Sequence, residues 1–341
     1  MSTKAKTRVA ILIPLKKQTL NLLREEFPKV EFHHQPVKSV QEIPHNLLEK
    51  AEVIISGNVI PNVEDTPLLK WLHVFSTVVD VRLFGDAWLD KGNLWVTSNS
   101  GITAPAYADI ALMQIYAMGY HLLSICKAKE THTYELDEGR YPASRLYDST
   151  IGIVGYGSVG REIARITHDM GVQILAAKHN AMDPEDHGYT LPGHGDPSGD
   201  YFLRLYPPQA IPSMVKECDF VIVTLPHTAE TEGLINAEVL SQMKPDAFLL
   251  NMSMPEIVNL PDLEAALEDN QLVGAGLVHF PEHELPAESS LWKRNSVIVF
   301  PPYASLIRNE EEKAVLLLIE NLRQYLNGGP LSNRVDFERG Y

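Results

Sequence analysis

The residues whose types and spacing point most clearly to chemistry are Gly155-Tyr156-Gly157-Ser158-Val159-Gly160. Glycines at this spacing suit a dinucleotide. The first permits a tight turn, the second lets backbone approach a pyrophosphate, and the third packs a helix against a strand. Glycine triplets also occur in loops without function, so the flanks decide. Ile151 to Val154 is a short apolar run before the turn, Ile163, Ala164 and Ile166 share a helical face after it, and a second apolar run spans Val172 to Ala177. Strand, turn, helix and strand make one βαβ unit, whose helix start directs free N–H groups at the phosphates. At the end of the second strand, where an acid usually grips the adenosine ribose, stand Lys178 and His179. An ammonium pairs with a 2′-phosphate that a carboxylate would repel. The expected cofactor is therefore NAD(P), with a modest lean to NADP that the nearby Asp183, Glu185 and Asp186 oppose.

The elements that must position this unit alternate between strand and helix patterns. Strand patterns fall at 9–13, 30–33, 53–55, 71–75 and 94–97, with a helix over 18–27, and together they form a small α/β unit. Thr103 to Leu123 reads as one long helix, apolar nearly all round and buried on most sides, with Thr103 as N-cap and Pro105 in its first turn. Residues 124–149 read as a polar arm, and 181–208, rich in Gly, Pro and Asp, as a long surface insertion. Further strands are expected at 220–225, 247–251, 272–277 and 297–300, and helices at 236–243, 260–269 and 310–326. That alternation makes parallel sheets. Glu310-Glu311-Glu312 reads as a solvated run complementing the dipole of the last helix.

Composition excludes several classes. With 341 residues the chain has room for two domains, and 45% hydrophobic with 21% charged residues is ordinary globular composition. A net charge of −15 argues against a nucleic-acid partner. No run of eighteen apolar residues offers a membrane span, and Arg8 to Ile13 is too short for a secretory core. Cys126 and Cys218 lie far apart and, like His33-His34, His187 and His194, lack metal-ligand spacing, so no metal is expected and a reducing cytoplasm is the natural setting.

Beyond the glycine fingerprint, the chain carries Ala51-Glu52-Val53-Ile54-Ile55, Cys218-Asp219-Phe220, Leu225-Pro226-His227-Thr228 with Thr231, Gly233-Leu234-Ile235-Asn236, Met243-Lys244-Pro245, and Leu285-Pro286-Ala287 before Leu291-Trp292. In these it resembles the D-2-hydroxyacid dehydrogenases, near their glyoxylate/hydroxypyruvate reductase branch. The resemblance implies an α/β fold of two Rossmann/flavodoxin-like domains with parallel sheets: a discontinuous substrate domain of residues 1–101 and 306–341, and an NAD(P)-binding Rossmann domain of 102–305. It also implies a homodimer, and cofactor contacts at Leu225, Pro226, Thr231, Asn251, Met252 and Ser253 beside the fingerprint.

The same overlay shows what the family's reaction would lack. Such enzymes hold the 2-oxo acid with an Arg and protonate it with a His tuned by a Glu. Met254 falls on the Arg position, Pro302 on the His and His283 on the Glu, while Val278 replaces an Asp near the nicotinamide. In Phe75-Ser76-Thr77-Val78-Val79-Asp80 both glycines of the family's carboxylate loop are also replaced. A thioether cannot stand in for a guanidinium, and proline has no proton to give. Two expectations follow. In one, hydride transfer continues on a different substrate with His283, then Tyr303 and His279, as candidate acid/base groups. In the other, the chain is a catalytically silent homologue that binds a dinucleotide and acts as a sensor or assembly partner.

Overall fold

The computed structural model describes residues 6–79, 81–89, 92, 94–133, 146–278, 285, 288–300 and 310–340. In chain order its strands and α-helices are β1 (Arg8–Ile11), α1 (Lys17–Glu26), β2 (Glu31–His34), α2 (His45–Leu48), β3 (Val53–Ser56), β4 (Trp71–Val74), α3 (Asp86–Leu89), β5 (Trp95–Ser98), α4 (Ala104–Gly119) and α5 (Leu122–Thr131). There follow β6 (Thr150–Val154), α6 (Ser158–His168), β7 (Gln173–Ala177), β8 (Arg204–Tyr206), α7 (Ile211–Val215), β9 (Phe220–Val223), α8 (Ala237–Leu240), β10 (Phe248–Asn251), α9 (Leu260–Glu268), β11 (Gly274–Val278), β12 (Val297–Phe300) and α10 (Glu310–Asn327). The chain divides into one compact unit of Met1–Ile102, His187–Tyr189 and Arg308–Tyr341, and another of Thr103–Asp186 and Thr190–Ile307. No described helix is long and apolar enough to cross a membrane.

The first unit is a five-stranded sheet of order β2-β1-β3-β4-β5, parallel throughout. Its inner strands β1 and β3, buried on both faces, read as nearly continuous apolar runs rather than alternating ones, whereas the edge strand β2, Glu31-Phe32-His33-His34, is only half-buried. Val9, Ile11, Val53 and Ile55 pack with Leu23 of α1 and with Leu318 and Leu322 of α10. Ala10 and Ile54 face the other way, onto Leu48 and Trp88. The tail is tied in by Asn321, whose side chain exchanges hydrogen bonds with the Ser332 backbone at 3.2 and 2.8 Å. The Tyr189 N–H donates to Asn333 Oδ1 at 2.7 Å, and its ring packs on Ile102, Ala314 and Leu317. The acidic start of α10 is not simply solvated: Glu311 Oε1 accepts from the Lys16 N–H at 3.0 Å and from Thr19 Oγ1 at 2.5 Å.

The second unit is a seven-stranded sheet of order β12-β11-β10-β9-β6-β7-β8, again parallel. Phe220 and Ile222 of β9 pack on one face with Ala108, Ala111 and Ile115 of α4, while Val221 and Val223 pack on the other with Met214 and Leu263. Three expectations from the sequence need correction. The helix that starts after Thr103 stops at Gly119, because His121 takes a left-handed conformation (φ 53°) and a separate helix begins at Leu122. It is buried or half-buried on most sides, as its apolar composition predicts, and exposes only Asp109, Met113 and Tyr116. The stretch beginning at residue 124 is helical to Thr131, and 134–145 lie outside the described residues. The segment 181–208 ends in a strand, β8, which pairs with β7 through Leu175↔Arg204 to Ala177↔Tyr206. Three residues among Gly and Pro carry too little period-two pattern to be seen.

Candidate functional site

Strand order reverses between the parallel neighbours β6 and β9: β7 and β8 follow outward from β6 on one side, and β10, β11 and β12 from β9 on the other. In doubly wound sheets ligands bind in the crevice beyond the strand ends at that reversal. The turn after β6 lies there. Gly155 adopts φ +106°, and a Cβ on it would come within 2.7 Å of the Thr224 carbonyl oxygen. At Gly160 a Cβ would meet the Gly155 carbonyl at 2.6 Å and Ile153 Cγ2 at 2.8 Å, so α6 sits directly against the strand. At Gly157 the corresponding direction is open, with nothing within 4 Å. Two glycines are thus required by the protein's own packing. The third leaves free space where a ligand's phosphates can come up to backbone N–H groups at the start of α6. Gly155 and Tyr156 donate their N–H groups to the Ala177 carbonyl at 3.0 and 3.1 Å, and Thr224 Oγ1 donates to the Gly155 carbonyl at 2.5 Å. These residues fit the pyrophosphate of a nicotinamide dinucleotide.

The other residues expected at the cofactor serve the scaffold as much as the ligand. Tyr156 is 2% exposed, turned into the core with its ring edge-on to Phe202 and its hydroxyl donating to Asp196 Oδ2 at 2.6 Å. Burial, and then Asp196, raise its pKa. Ser158 and Val159 are half-buried in the first turn of α6. Ser253 Oγ accepts the Leu225 N–H at 2.7 Å and donates to the Val223 carbonyl at 3.2 Å, joining the ends of β9 and β10. Asn251 holds that joint from below, accepting the Ser253 N–H at 3.0 Å and donating to the Met254 carbonyl at 3.2 Å. Met252 is core. Thr231 Oγ1 closes the loop that follows β9 by donating to the Pro226 carbonyl at 2.7 Å. Leu225 and Pro226 remain half-buried on that loop, and Met254 is half-buried beyond β10. The candidate acid/base residues His279, His283 and Tyr303, and Pro302, lie outside the described residues.

Around Lys178 the surroundings differ from what the sequence suggests. Its ammonium donates to the carbonyls of Asp183 at 2.6 Å and Glu185 at 2.8 Å, with the Asp183 carboxylate 4.0 Å away. Burial, and then the neighbouring Arg161, lower its pKa. His179 is exposed.

A set of residues that sequence reasoning passed over fixes the insertion to α6. Arg161, fully buried, donates to the carbonyls of Asp196 and Pro184, lies 4.7 Å over the Tyr156 ring, and has the Asp186 carboxylate 3.7 Å from Nε. Glu162, 1% exposed, accepts from Arg165 at 2.7 and 2.9 Å, from the Gly195 N–H at 2.6 Å, and pairs with His194 Nδ1 at 2.8 Å. Burial alone would raise its pKa, but Arg165, the Gly195 N–H and His194 outweigh that and hold it at about 2. Asp196 Oδ1 accepts the N–H groups of Gly199 and Asp200 at 3.1 and 2.8 Å. The one signal in the sequence was Gly193-His194-Gly195-Asp196-Pro197, a turn cluster with charge in it, and its partners thirty residues upstream could not be read from it.

Fold and turn together define a doubly wound, dinucleotide-binding α/β protein. More narrowly, the chain belongs to the D-isomer specific 2-hydroxyacid dehydrogenase family, whose NAD binding domain matches residues 113–304. Members of that family are NAD(P)-dependent oxidoreductases. The chain is 28% identical over 335 residues to a glyoxylate reductase of Thermococcus onnurineus, a match covering 95% of this chain and 94% of that one. It is 29% identical over 246 residues to a D-3-phosphoglycerate dehydrogenase of Synechocystis, covering 72% of this chain and 41% of that longer protein. Two solved structures share the fold. One is a D-isomer specific 2-hydroxyacid dehydrogenase from Xanthobacter autotrophicus in complex with NADPH and MES (TM-score 0.74, 21% identity, 99% of this chain and all of the other). The second is an acyclic imino acid reductase in complex with NADPH and D-Arg (TM-score 0.71, 21% identity, 97% of this chain and all of the other).

Proposed function

We propose that this chain is an NAD(P)-dependent oxidoreductase that holds its dinucleotide on the Gly155–Gly160 turn and acts on a substrate other than the family's ordinary 2-oxo or 2-hydroxy acid. The observation that carries the first half is the contrast among the three glycines, two closed by packing and Gly157 open. The second half rests on sequence: Met254, Pro302 and His283 stand at the family's Arg, His and Glu positions. Without a guanidinium there is no bidentate clamp for a carboxylate, so the expected substrate lacks one. A bound nicotinamide supplies or accepts the hydride, and His283, then Tyr303 and His279, are the candidates to move the proton. The imino acid reductase that shares this fold makes imines as worth screening as carbonyls. The lean to NADP rests on the residue type of Lys178 alone.

Calorimetric titration with NAD⁺, NADH, NADP⁺ and NADPH, followed by turnover of carbonyl and imine panels, tests the reading. Binding with turnover that His283→Ala abolishes supports it. Binding without turnover of any panel member favours a silent dinucleotide sensor, and binding of none refutes the oxidoreductase reading. A cytoplasmic homodimer belongs to the same proposal. Tyr116, Tyr120, Leu122 and Ile125 form an exposed apolar face on α4 and α5, and sedimentation of wild type against Tyr116→Glu tests whether a second copy covers it.

A further inference from the structure

The turn Asp183-Pro184-Glu185 presents three successive backbone carbonyls to two cations. Asp183 and Glu185 accept from the Lys178 ammonium at 2.6 and 2.8 Å, and Pro184 accepts from the Arg161 guanidinium at 2.7 Å. Arg161's other terminal nitrogen is engaged by the Asp196 carbonyl. Lys178 stands directly after β7, where an adenosine ribose is gripped, and Arg161 lies in the first turn of α6. Two of the three Lys178 protons and both terminal nitrogens of Arg161 are therefore spent on folding the insertion. The same fold brings in the carboxylates of Asp183, Asp186 and Asp196, the first 4.0 Å from Lys178 and the second 3.7 Å from Arg161. A phosphate dianion at the ribose 2′ position would meet an ammonium with two of its three protons already taken by carbonyls, and would do so among like charges. A 2′-hydroxyl asks for nothing of the kind. It is a neutral donor that a carboxylate accepts.

From this arrangement we infer that the insertion is the specificity element of the cofactor site, selecting the dinucleotide with a free 2′-hydroxyl and discriminating against the 2′-phosphorylated one. This rests on the dinucleotide-binding reading above, and it reverses the lean that Lys178 gives when read without its partners. Lys178 acts here as a positioning residue for the 183–185 turn, not as a phosphate ligand.

The test is the ratio of dissociation constants for NADH and NADPH in the full-length wild type and in Lys178→Ala, by calorimetry at one fixed ionic strength. The wild type should bind NADH at least about tenfold more tightly than NADPH. In Lys178→Ala the ratio should stay within about twofold even if both affinities fall together, because a loosened turn affects both ligands while a lost phosphate partner affects only NADPH. Preference of the wild type for NADPH would overturn the inference, as would a tenfold loss confined to NADPH in Lys178→Ala. Binding of neither dinucleotide by the wild type would overturn the dinucleotide reading and this inference with it. Normal NADH binding without discrimination would overturn the inference alone.

Discussion

Glu162→Gln probes the buried network with a change of one charge and almost no volume. The carboxylate takes hydrogen bonds from Arg165, Gly195 and His194, and these hold its pKa at about 2 against an ordinary 4.5. A shift of that size corresponds to ~3 kcal/mol at 1.36 kcal/mol per unit. Arg165 and His194 are 30% and 37% exposed, so solvent screening reduces the figure to about 1.5–3 kcal/mol. The direction with pH follows from which state binds the proton. Between about pH 4.5 and 2 the unfolded chain is protonated at this carboxyl while the folded chain is not, so stability is complete above that window and drains away as pH falls through it. The amide that replaces the carboxylate also turns an N–H₂ toward donors, leaving one of them unpaired at any pH. Urea unfolding of wild type and Glu162→Gln, followed by circular dichroism at several pH values, should show a gap of about 1.5–3 kcal/mol at pH 7 that narrows steadily toward about pH 3. Titrating groups remote from Glu162 are common to both proteins and cancel in the difference. A gap that does not change with pH, or none at pH 7, would refute the account of the network.

Three further outcomes are expected. Gln114 is fully buried on α4 with neither amide atom partnered among the described residues, so Gln114→Met should raise stability by about 1–3 kcal/mol in thermal melts; in its wild-type form the same amide overlaps the Cβ that Gly276→Ala would add, which should cost a similar amount. Burial pushes the Cys218 thiol up to about 12 while Cys126 is exposed, so a thiol reagent at pH 8 should label Cys126 readily in the native protein and reach Cys218 only after denaturation. His73 is buried between Thr97 Oγ1 and Asn99 Oδ1 at 2.8 and 3.0 Å, and burial, partly offset by Asn99, brings its pKa to about 4. Its ring resonances should therefore show it neutral well below pH 6, and the first unit should lose stability as pH falls from about 6.5 to 4, where only the unfolded histidine takes a proton.

The sheets were legible in the sequence because parallel strands buried on both faces are continuous apolar runs, and Val297 to Phe300 coincides with β12 residue for residue. The fingerprint was legible because its glycines answer to local geometry. What escaped depended on partners far along the chain. Nothing near Lys178 in the sequence says that the carbonyls of residues 183 and 185 will take its protons. Nothing near Arg161 or Glu162 says that a charged pair in the first turns of a helix will be buried under an insertion. Thr103 to Leu123 misleads for a different reason: hydrophobic content marks helix and burial alike, and neither the left-handed residue at His121 nor the exposed face beside it leaves a trace in composition.

The origin of α10 bears on the order in which the protein can be made. Leu318 and Leu322 cover the sheet face formed by Val9, Ile11, Val53 and Ile55, yet roughly 200 residues separate the end of β5 from the start of α10. At ordinary translation rates a ribosome needs on the order of ten to forty seconds to cross that interval. Throughout it the nascent first sheet has α1 against that apolar face but not Leu318 and Leu322 of α10. The unit that begins first is thus completed last, by a helix drawn from the far end of the chain.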